Sequence, residues 1–425
     1  MCRKIAITLI YANEWSLLNW FPSLYLVGMI LANSIGKGGV MIMDFSFSEE
    51  QEHFRKMLKD FAKQELLPNY TKWDREGITP KHLWKKLGEL GVNGLRIPVE
   101  YGGSSADCVT TGIAAEEISK GDFNLTYAVM LNALIGEIIT NHGSEDQKRE
   151  WLPMISSGEK IVGIAITEPS AGTDAGGIKT TAVHKGNVYI LNGEKSGISV
   201  ATSGDAFIIF AKTNPDLGNR GISAFIVPAN LPGVETRGYE DLGNIPISRG
   251  SIYLNDVEVP EENLIGLENK GFAQVMNGFD LSRLLIGLQC VGAATQSLDE
   301  TIEHVKNRHS FGKPLATYQG VSFPIVTHFA QLEMVKWQAY RGLWLRDQGL
   351  KHSKESALVK WLGPKYSQEA IHECLLLNGH YAYTKEMPLE QRLRDVIGLE
   401  IGDGTAQANQ MVIAKDIIGK EFRSY

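Results

Sequence analysis

The stretch Val188-Tyr189-Ile190-Leu191-Asn192-Gly193 lies near the middle of the chain and decides the fold. A short run of β-branched, aromatic and aliphatic residues predicts a strand, and the Asn-Gly pair predicts a tight turn at its end. Three similar runs follow, at Phe207–Ala211, Ala224–Val227 and Ser251–Leu254. Short strands separated by turn residues predict a small antiparallel barrel or sandwich over residues 161–271.

Helical patterns precede this β region. Ser48 and Gln51 have the spacing of a helix-capping box, and apolar residues then recur at helical intervals. The further helices predicted within residues 43–160 are Lys81–Leu90, Thr110–Ser119, Tyr127–Thr140 and Glu145–Ile155. This part of the chain is therefore predicted to be an α-helical domain.

Helical patterns also follow the β region, over residues 272–425. The long stretches run from Gly271 towards Arg308, and over Tyr318–Gly349, Ser353–Leu377 and Gly404–Glu421. Four long helices joined by short loops are typical of a four-helix bundle. The predicted fold class is thus α+β, with an N-terminal helical domain, a middle antiparallel β domain and a C-terminal bundle.

Composition excludes several classes of function. The chain of 425 residues has 42 basic and 49 acidic residues, a net charge of −7, and no basic stripe of the kind that nucleic acid requires. Its four cysteines form no CxxC pair, which argues against a disulfide framework or a zinc site. We therefore predict a cytoplasmic protein that binds no metal and no nucleic acid.

Residues 1–42 differ from the rest of the chain. They are rich in apolar residues, but Pro22 and several polar residues interrupt the apolar runs, so no clean membrane span or signal peptide is predicted. Lys37-Gly38-Gly39 can be encoded by a purine-rich ribosome-binding sequence. The prediction is that translation starts at Met41 or Met43, and a membrane anchor is the alternative.

Motifs spread along residues 43–425 indicate a family. They are Pro98 with Tyr101-Gly102-Gly103, Thr167-Glu168-Pro169-Ser170-Ala171-Gly172-Thr173-Asp174, Asn192-Gly193-Glu194-Lys195, Arg308 with Phe311-Gly312 and Gln319, Arg394-Asp395, and Gly404-Thr405. In this order and spacing the chain resembles the acyl-CoA dehydrogenase family. The resemblance implies FAD as cofactor, an acyl-CoA thioester as substrate and an electron-transferring flavoprotein as electron acceptor.

The segment Thr167–Asp174 has the composition of a ligand wall. A Pro-led turn rich in glycine and hydroxyl residues exposes backbone N–H groups and hydroxyls, although a plain β turn is the alternative. The resemblance implies that Thr167 lies near the isoalloxazine, and Thr173 near the polar tail of the cofactor and the substrate. Cofactor contacts are likewise implied for Ile166, Ile198, Ser199, Gly379, Thr405 and Gln407.

The run Gly197-Ile198-Ser199-Val200 departs from the family pattern. Family members carry an aromatic ring at the first position, whereas Gly197 has no side chain to cover the flavin edge. Ser199 keeps the hydroxyl that the resemblance assigns to the N5 side. Two outcomes stay open: the space admits a broad acyl group, or a neighbouring side chain fills it.

The resemblance also implies contacts between subunits. Arg308, Phe311 and Gln319 match positions that reach the pyrophosphate and adenine of FAD in a neighbouring subunit, so a homotetramer or dimer is predicted. The forked guanidinium of an arginine suits a diphosphate. An exposed arginine at a helix end is the alternative for Arg308.

Abstraction of an α-proton from a thioester requires a base. The resemblance places this base at Asp403 or, in a subgroup, at the position of Ser282, which has no carboxylate. Asp403 is therefore the predicted catalytic base, and a helix N-cap is the alternative role for it. Asp280, Arg283 and Gly404 are predicted to lie beside the substrate, although Asp280 could instead pair within its own helix.

Three features resemble family members that act on alicyclic esters such as cyclohexanecarboxyl-CoA. They are Asp403, Gly197 and the run Gln391–Gly398. Some ring-oxidising members use an acid on the substrate-facing helix of the N-terminal domain, but no carboxylate lies between Phe123 and Gly136. We therefore predict α,β-dehydrogenation, with hydride transfer to flavin N5, rather than 1,4-elimination.

Two other functions fit the same sequence. An acyl-CoA oxidase or flavin monooxygenase on this fold is favoured by the missing ring at Gly197, and steady formation of hydrogen peroxide would distinguish it. A helical assembly protein without chemistry would show no flavin spectrum. Fold alone does not separate these functions, because function depends on the site.

Overall fold

The computed structural model describes residues 46–422, and the predictions for residues 1–42 lie outside the described residues. The chain divides into two units, residues 1–52 and 53–425. In the described part of the first unit, the N–H of Gln51 donates to Ser48 Oγ at 3.2 Å, and the N–H of Ser48 donates to Gln51 Oε1 at 3.0 Å. The predicted capping box is therefore present at the first helix.

Helices occupy the chain before the sheet, as predicted. They are α1 (Glu49–Phe61), α2 (Tyr70–Glu76), α3 (Lys81–Glu89), α4 (Cys108–Gly121), α5 (Thr126–His142) and α6 (Glu145–Ser156). Every residue of α5 from Thr126 to Ile139 is buried. A helix that is apolar on most of its surface is a central one, so α5 can contribute to both the core and a site.

Seven strands form one sheet, which confirms the predicted β region. They are β1 (Val162–Ala165), β2 (Thr181–Lys185), β3 (Val188–Ile198), β4 (Ala206–Lys212), β5 (Ile222–Pro228), β6 (Val234–Gly238) and β7 (Gly250–Pro260). The order is β1-β4-β2-β3-β7-β6, and β5 also pairs with β4. Most pairs are antiparallel, but β4 pairs in parallel with β1 and, through one residue pair, with β2. Residues 206–211 of β4 are all buried, as expected for a strand that is covered on both faces.

The prediction of a turn at Asn192-Gly193 is wrong. Strand β3 continues through this pair to Ile198, and its register against β7 shifts between Leu191 and Gly193. Glycine is required at the shift because a Cβ there would lie 2.5 Å from Thr180 Oγ1. The residues that usually mark a turn mark a bulge in this strand.

The C-terminal region contains the four predicted long helices and one more. They are α7 (Gly271–Asn307), α8 (Gln319–Asp347), α9 (Ser353–Asn378), α10 (Leu389–Ile401) and α11 (Ala406–Ile417), with a short hairpin, β8 (His309–Ser310) and β9 (Lys313–Pro314), between α7 and α8. Helix α10 is the one that was not predicted. Helices α7 and α9 cross closely, since a Cβ on Gly363 would lie 2.9 Å from Gly287 Cα. Within residues 46–422, every helix is too short or too polar to cross a bilayer.

The buried carboxylate of Asp395, on α10, connects three parts of the chain. It accepts hydrogen bonds from Tyr70 Oη at 2.6 Å, from Asn124 Nδ2 at 3.0 Å and from the N–H of Asn244 at 2.6 Å. Tyr70 and Asn124 belong to the N-terminal helical region, and Asn244 to the connection between β6 and β7. Burial raises the pKa of Asp395 to about 6.

We expect Asp395→Asn to lower the free energy of unfolding by about 2 kcal/mol at pH 5, because the amide nitrogen cannot accept the bonds that Tyr70 and Asn124 donate. The raised pKa means that ionisation of Asp395 costs stability as the pH rises through about 6. The loss should therefore be smaller at pH 7.5. Urea unfolding at both pH values measures it. The control Asp416→Asn, whose carboxylate is exposed beside Lys351, should change stability little, and equal losses for both variants would contradict this role.

Candidate active site

A cavity of about 90 Å³ lies between helices α5 and α7, the sheet and the loop after α10. Its lining residues are Met130, Leu131, Leu134, Ile164, Ile166, Thr167, Gly197, Ile198, Ser199, Phe279, Ser282 and Asp403. Five of the predicted site residues, Ile166, Thr167, Ile198, Ser199 and Asp403, are therefore close together. A cavity with apolar walls and a few polar groups is the usual form of a small-molecule site.

A buried ion pair fixes the wall that carries Thr167. Lys195 Nζ, on β3, donates to the carbonyl of Ile166 at 3.0 Å and to Glu168 Oε1 at 2.8 Å. The Glu168 carboxylate also accepts the N–H of Thr180 at 2.9 Å. Burial lowers the pKa of Lys195 to about 8, against the pull of Glu168. Thr167 lies between Ile166 and Glu168, and both of these residues accept a hydrogen bond from the Lys195 ammonium. The position of Thr167 is therefore well defined.

The polar groups of this wall are available to a ligand. The hydroxyls of Thr167 and Ser199 make no hydrogen bond within the described part of the chain, and both residues line the cavity. Hydroxyl groups can donate and accept, as the polar edge of a flavin requires. This wall therefore fits the cofactor that the sequence predicts.

Arg249 borders the space beside Gly197. Gly197 has φ +67°, and among residues 46–422 a Cβ there would meet one side chain within 4 Å, that of Arg249, whose Nη2 would lie 3.5 Å away. The other terminal nitrogen, Nη1, pairs with Asp241 at 3.2 Å. Of the two outcomes left open by the sequence, the structure favours the second, because a guanidinium fills part of the space that an aromatic ring would take.

Asp403 lies in the loop between α10 and α11 and is not the helix cap. Thr405 is the N-cap of α11, since its Oγ1 accepts the N–H of Ala408 at 3.3 Å. Asp403 has φ +54°, a left-handed conformation that aspartate tolerates better than most residues. Its carboxylate has no hydrogen-bond partner among residues 46–422 and lines the cavity. The alternative that the sequence left open, a capping aspartate, is thus wrong.

The surroundings of Asp403 make it a stronger base. Dense packing behind the carboxylate raises its pKa above the ordinary range, while the positive charges of Lys360, Arg283 and Arg249 oppose that rise. The residue is nevertheless exposed to solvent, and it lines the cavity. Asp403 therefore combines a desolvated setting with access for a ligand.

The predicted substrate residues on α7 pair with each other. Arg283 Nη1 lies 2.9 Å from Asp280 Oδ1, and Ser353 Oγ donates to Asp280 Oδ2 at 2.5 Å. Asp280 therefore does pair within its own helix. The hydroxyl of Ser282 donates to the carbonyl of Phe279 at 3.1 Å, so it is engaged locally.

Other predicted site residues lie outside the cavity lining. The exposed ones are Thr173, Arg308, Phe311, Gln319, Gly379 and Gln407, whereas Gly404 and Thr405 are half-buried beside Asp403. Within residues 46–422, the Arg308 side chain makes no ion pair or hydrogen bond, and Phe311 is 95 % exposed. A free guanidinium next to an exposed ring fits the pyrophosphate and adenine of FAD.

Three positive groups around the site were not predicted from the sequence. Lys195 belongs to the motif Asn192–Lys195, which does not reveal its burial, and no motif contains Arg249 or Lys360. A lysine inside the apolar run Ala357–Leu362 is a usable signal, because buried lysines are rare unless they are paired. For Arg249 the sequence offers no comparable signal.

Family models match most of the chain. "Acyl-CoA dehydrogenase, N-terminal domain" matches residues 48–159, the middle domain of the same family matches residues 163–257, and its C-terminal domain matches residues 269–418. The three matches follow the helical, β and helical order of the structure. They therefore agree with the fold over almost its whole described length.

Relatives of similar length agree with these matches. The chain is 35% identical over 381 residues to "Probable acyl-CoA dehydrogenase YngJ" of Bacillus subtilis (strain 168), covering 88% of this chain and 100% of that protein. It is 36% identical over 377 residues to "Caffeyl-CoA reductase-Etf complex subunit CarC" of Acetobacterium woodii, with the same coverage. The solved butyryl-CoA dehydrogenase of Megasphaera elsdenii superposes with a TM-score of 0.85 at 31% identity, over 88% of this chain and 100% of that one.

We expect Lys195→Met to lower the free energy of unfolding by about 3 kcal/mol or more, because it leaves the buried Glu168 carboxylate without a countercharge. Loosening of the Thr167 wall should also weaken FAD binding. Urea unfolding and flavin fluorescence titration measure the two effects. Lys185→Met, at the exposed last residue of β2, is the matched control. Unchanged stability and unchanged FAD affinity would show that the pair does not support the wall.

Proposed function

Because this chain belongs to the acyl-CoA dehydrogenase family, we propose that it dehydrogenates a compact acyl-CoA ester with Asp403 as the base. It is an FAD-dependent oxidoreductase, as its family and fold imply. The observation that carries the proposal is that the Asp403 carboxylate lines the same cavity as Ile166, Thr167 and Ser199. A base and a flavin-binding wall on one cavity are what α,β-elimination requires.

Each side of the cavity has its own task in this proposal. FAD, when bound, accepts the hydride from the β-carbon of the substrate at N5. The Asp403 carboxylate removes the α-proton, and the desolvation that the packing behind it causes raises its pKa and so strengthens it as a base. Thr167 and Ser199 hold the flavin side, and Gly404 and the Asp280–Arg283 pair lie on the thioester side. Thr173 would hold the polar tail of FAD, together with Thr405, Gln407 and Gly379, which lie at or near the ends of their helices.

Arg308, Phe311 and Gln319 bind the FAD of a neighbouring subunit in this proposal. An exposed apolar stripe on α8 supports association of copies of this chain. Its members are Phe323, Val326, Phe329, Met334 and Trp337, each at least 38% exposed. They lie within one face of the helix, and contiguous apolar patches of this kind mark protein interfaces. A homodimer or homotetramer would cover the stripe and bring the Arg308 hairpin to a second active site.

The acyl group is proposed to be compact, with alicyclic esters such as cyclohexanecarboxyl-CoA included. Met130, Leu131 and Leu134, from α5, give the cavity an apolar wall without a carboxylate. Asp is one methylene shorter than Glu, so its substrate carbon must approach the loop more closely. The relatives YngJ and CarC are not named for alicyclic esters, so a panel of acyl-CoA esters has to decide between cyclic and short linear groups.

An electron-transferring flavoprotein is proposed as the electron acceptor, in the cytoplasm. The support is a relative 36% identical to this chain that is named as a subunit of a "Caffeyl-CoA reductase-Etf complex". The net charge of −7 and the absence of a basic stripe give no support for nucleic acid as a partner.

Anaerobic bleaching of the flavin by a panel of linear, branched and cyclic acyl-CoA esters tests cofactor, reaction and acyl group together. We expect Asp403→Asn to keep FAD but to reduce it about a thousandfold more slowly or not at all, because the amide cannot accept the α-proton. Asp416→Asn, at an exposed position, is the control. Retained bleaching by Asp403→Asn would exclude Asp403 as the base. Bleaching only by long linear esters would exclude a compact acyl group.

A second candidate, an acyl-CoA oxidase, is favoured by the exposed glycine at the proposed flavin edge, where Arg249 and the hydroxyl of Tyr239 lie beside Gly197 in place of an aromatic side chain at that position. We expect Arg249→Ala to increase hydrogen peroxide formation during turnover, because it opens that edge to oxygen. Peroxide assays with and without an electron-accepting dye measure the effect. Arg220→Ala, at an exposed residue of the same domain, is the control. Stoichiometric peroxide from the unsubstituted enzyme, even with the dye present, would favour the oxidase.

A further inference from the structure

Lys360, on α9, is a buried lysine that the proposed reaction does not use. It is 1% exposed, and its Nζ donates to the carbonyl of Leu399 at 2.6 Å and to that of Gly404 at 3.0 Å. Leu399 lies in the last turn of α10, and Gly404 directly follows Asp403. One ammonium group therefore connects the two ends of the loop that carries the proposed base.

This loop needs such a connection. Asp403 has φ +54° and Gly404 has φ +100°, both in the left-handed region, which costs a non-glycine residue free energy. The carbonyl of Leu399 is at a helix C-terminus, where carbonyls lack helical partners and a cation is favourable. Lys360 Nζ donates to this carbonyl. The carbonyl of Gly404 accepts two hydrogen bonds, one from Lys360 Nζ and one from Asn409 Nδ2, each at 3.0 Å. These bonds stabilise a backbone conformation that would otherwise relax.

The crossing of α7 and α9 explains why Lys360 reaches the loop. Gly287 and Gly363 allow the two helices to approach closely, and Lys360 is one turn before Gly363. A lysine on that face points between the helices rather than into solvent, which agrees with its burial.

Lys360 also differs electrostatically from the other cations that face Asp403. Arg283, from α7, is paired with Asp280, and Arg249, before β7, is paired with Asp241. Within residues 46–422, Lys360 forms no ion pair; its neighbours with titratable groups are Asp403, Cys290, Arg283 and Glu400. Tyr127, from α5, is the other titratable group near Asp403. The charge of Lys360 is therefore the least neutralised of the three.

We propose that Lys360 is the positioning residue for Asp403: it fixes the loop so that the carboxylate faces the cavity, and it supplies an unpaired positive charge beside it. The proposal rests on the proposed role of Asp403. It assigns a function to a residue that lies outside the cavity lining. If it is correct, the rate of proton abstraction by Asp403 depends on Lys360 in a way that differs from any effect of Lys360 on folding.

The pH dependence of flavin reduction tests this role. The probes are butyryl-CoA and cyclohexanecarboxyl-CoA, under anaerobic single-turnover conditions, with the FAD content and the unfolding temperature of each variant measured in parallel. Asp403 acts only when ionised, so its rate is lost as the pH falls through its pKa. Lys360→Gln removes the charge that opposes the raised pKa of Asp403, so the acid limb should move to higher pH, with reduction about tenfold slower on that limb.

Two variants complete the test. Lys360→Arg keeps the charge and the donors, so its acid limb should remain where it is in the unsubstituted enzyme. Lys365→Gln, at a surface position on the same helix, should change nothing. A lower rate or unfolding temperature for Lys360→Gln with an unmoved acid limb would show a merely structural role and overturn the proposal.

Failure of the proposed function has a different signature. If either ester still bleaches the flavin of Asp403→Asn, Asp403 is not the base, and the proposed role of Lys360 is then wrong as well. If Lys360→Gln does not fold, a crystal structure of the unsubstituted holoenzyme decides. Nζ within hydrogen-bond distance of the carbonyls of Leu399 and Gly404 supports the proposal, and Nζ turned away from both overturns it.

Discussion

The carboxylate of Asp395 is the contact on which both the fold and the site depend. It is completely buried and accepts hydrogen bonds from the N-terminal helical region and from the loop before β7. Because Asp395 is on α10, these bonds fix that helix, and the helix in turn delivers Leu399 and Asp403 to Lys360 and the cavity. The packing of the three regions and the placement of the proposed base are therefore set by one short helix.

The order of helical, β and helical regions could be predicted because long segments keep one hydrophobic period. Two local features could not. Asn192-Gly193 has the composition of a turn, but the strand pairing around it and the proximity of Thr180 make it a bulge. Helix α10 was missed because two of its buried positions hold Arg392 and Asp395, whose partners are distant in sequence. Buried polar residues interrupt the pattern of apolar residues by which a helix is normally predicted from sequence.

The site could be predicted only in part, because some of its residues are distant from one another in sequence. Its wall and its proposed base follow from motifs that are local in sequence, and the structure brings Thr167, Ser199 and Asp403 to one cavity. The positive charges around Asp403 come from three separate elements, so no local pattern contains them. The alternative role of Asp403 as a helix cap also shows what the sequence alone does not decide. Thr405, two residues further on, is the N-cap, and sequence alone does not decide between two capping residues that lie so close together.

Gly197 and Asp403 lie on the same cavity and differ from the family pattern together. At Gly197 the backbone has φ +67°, so a larger residue would be strained and would also press against Arg249. In the proposed site, the flavin edge would therefore face a partly paired guanidinium in place of a ring. At Asp403 the carboxylate is one methylene shorter than a glutamate, so a substrate would have to lie closer to the loop. Changes at these two positions alter the shape of the cavity without removing the carboxylate and hydroxyls that line it, so they support the proposal that the elimination is kept and the acyl group differs.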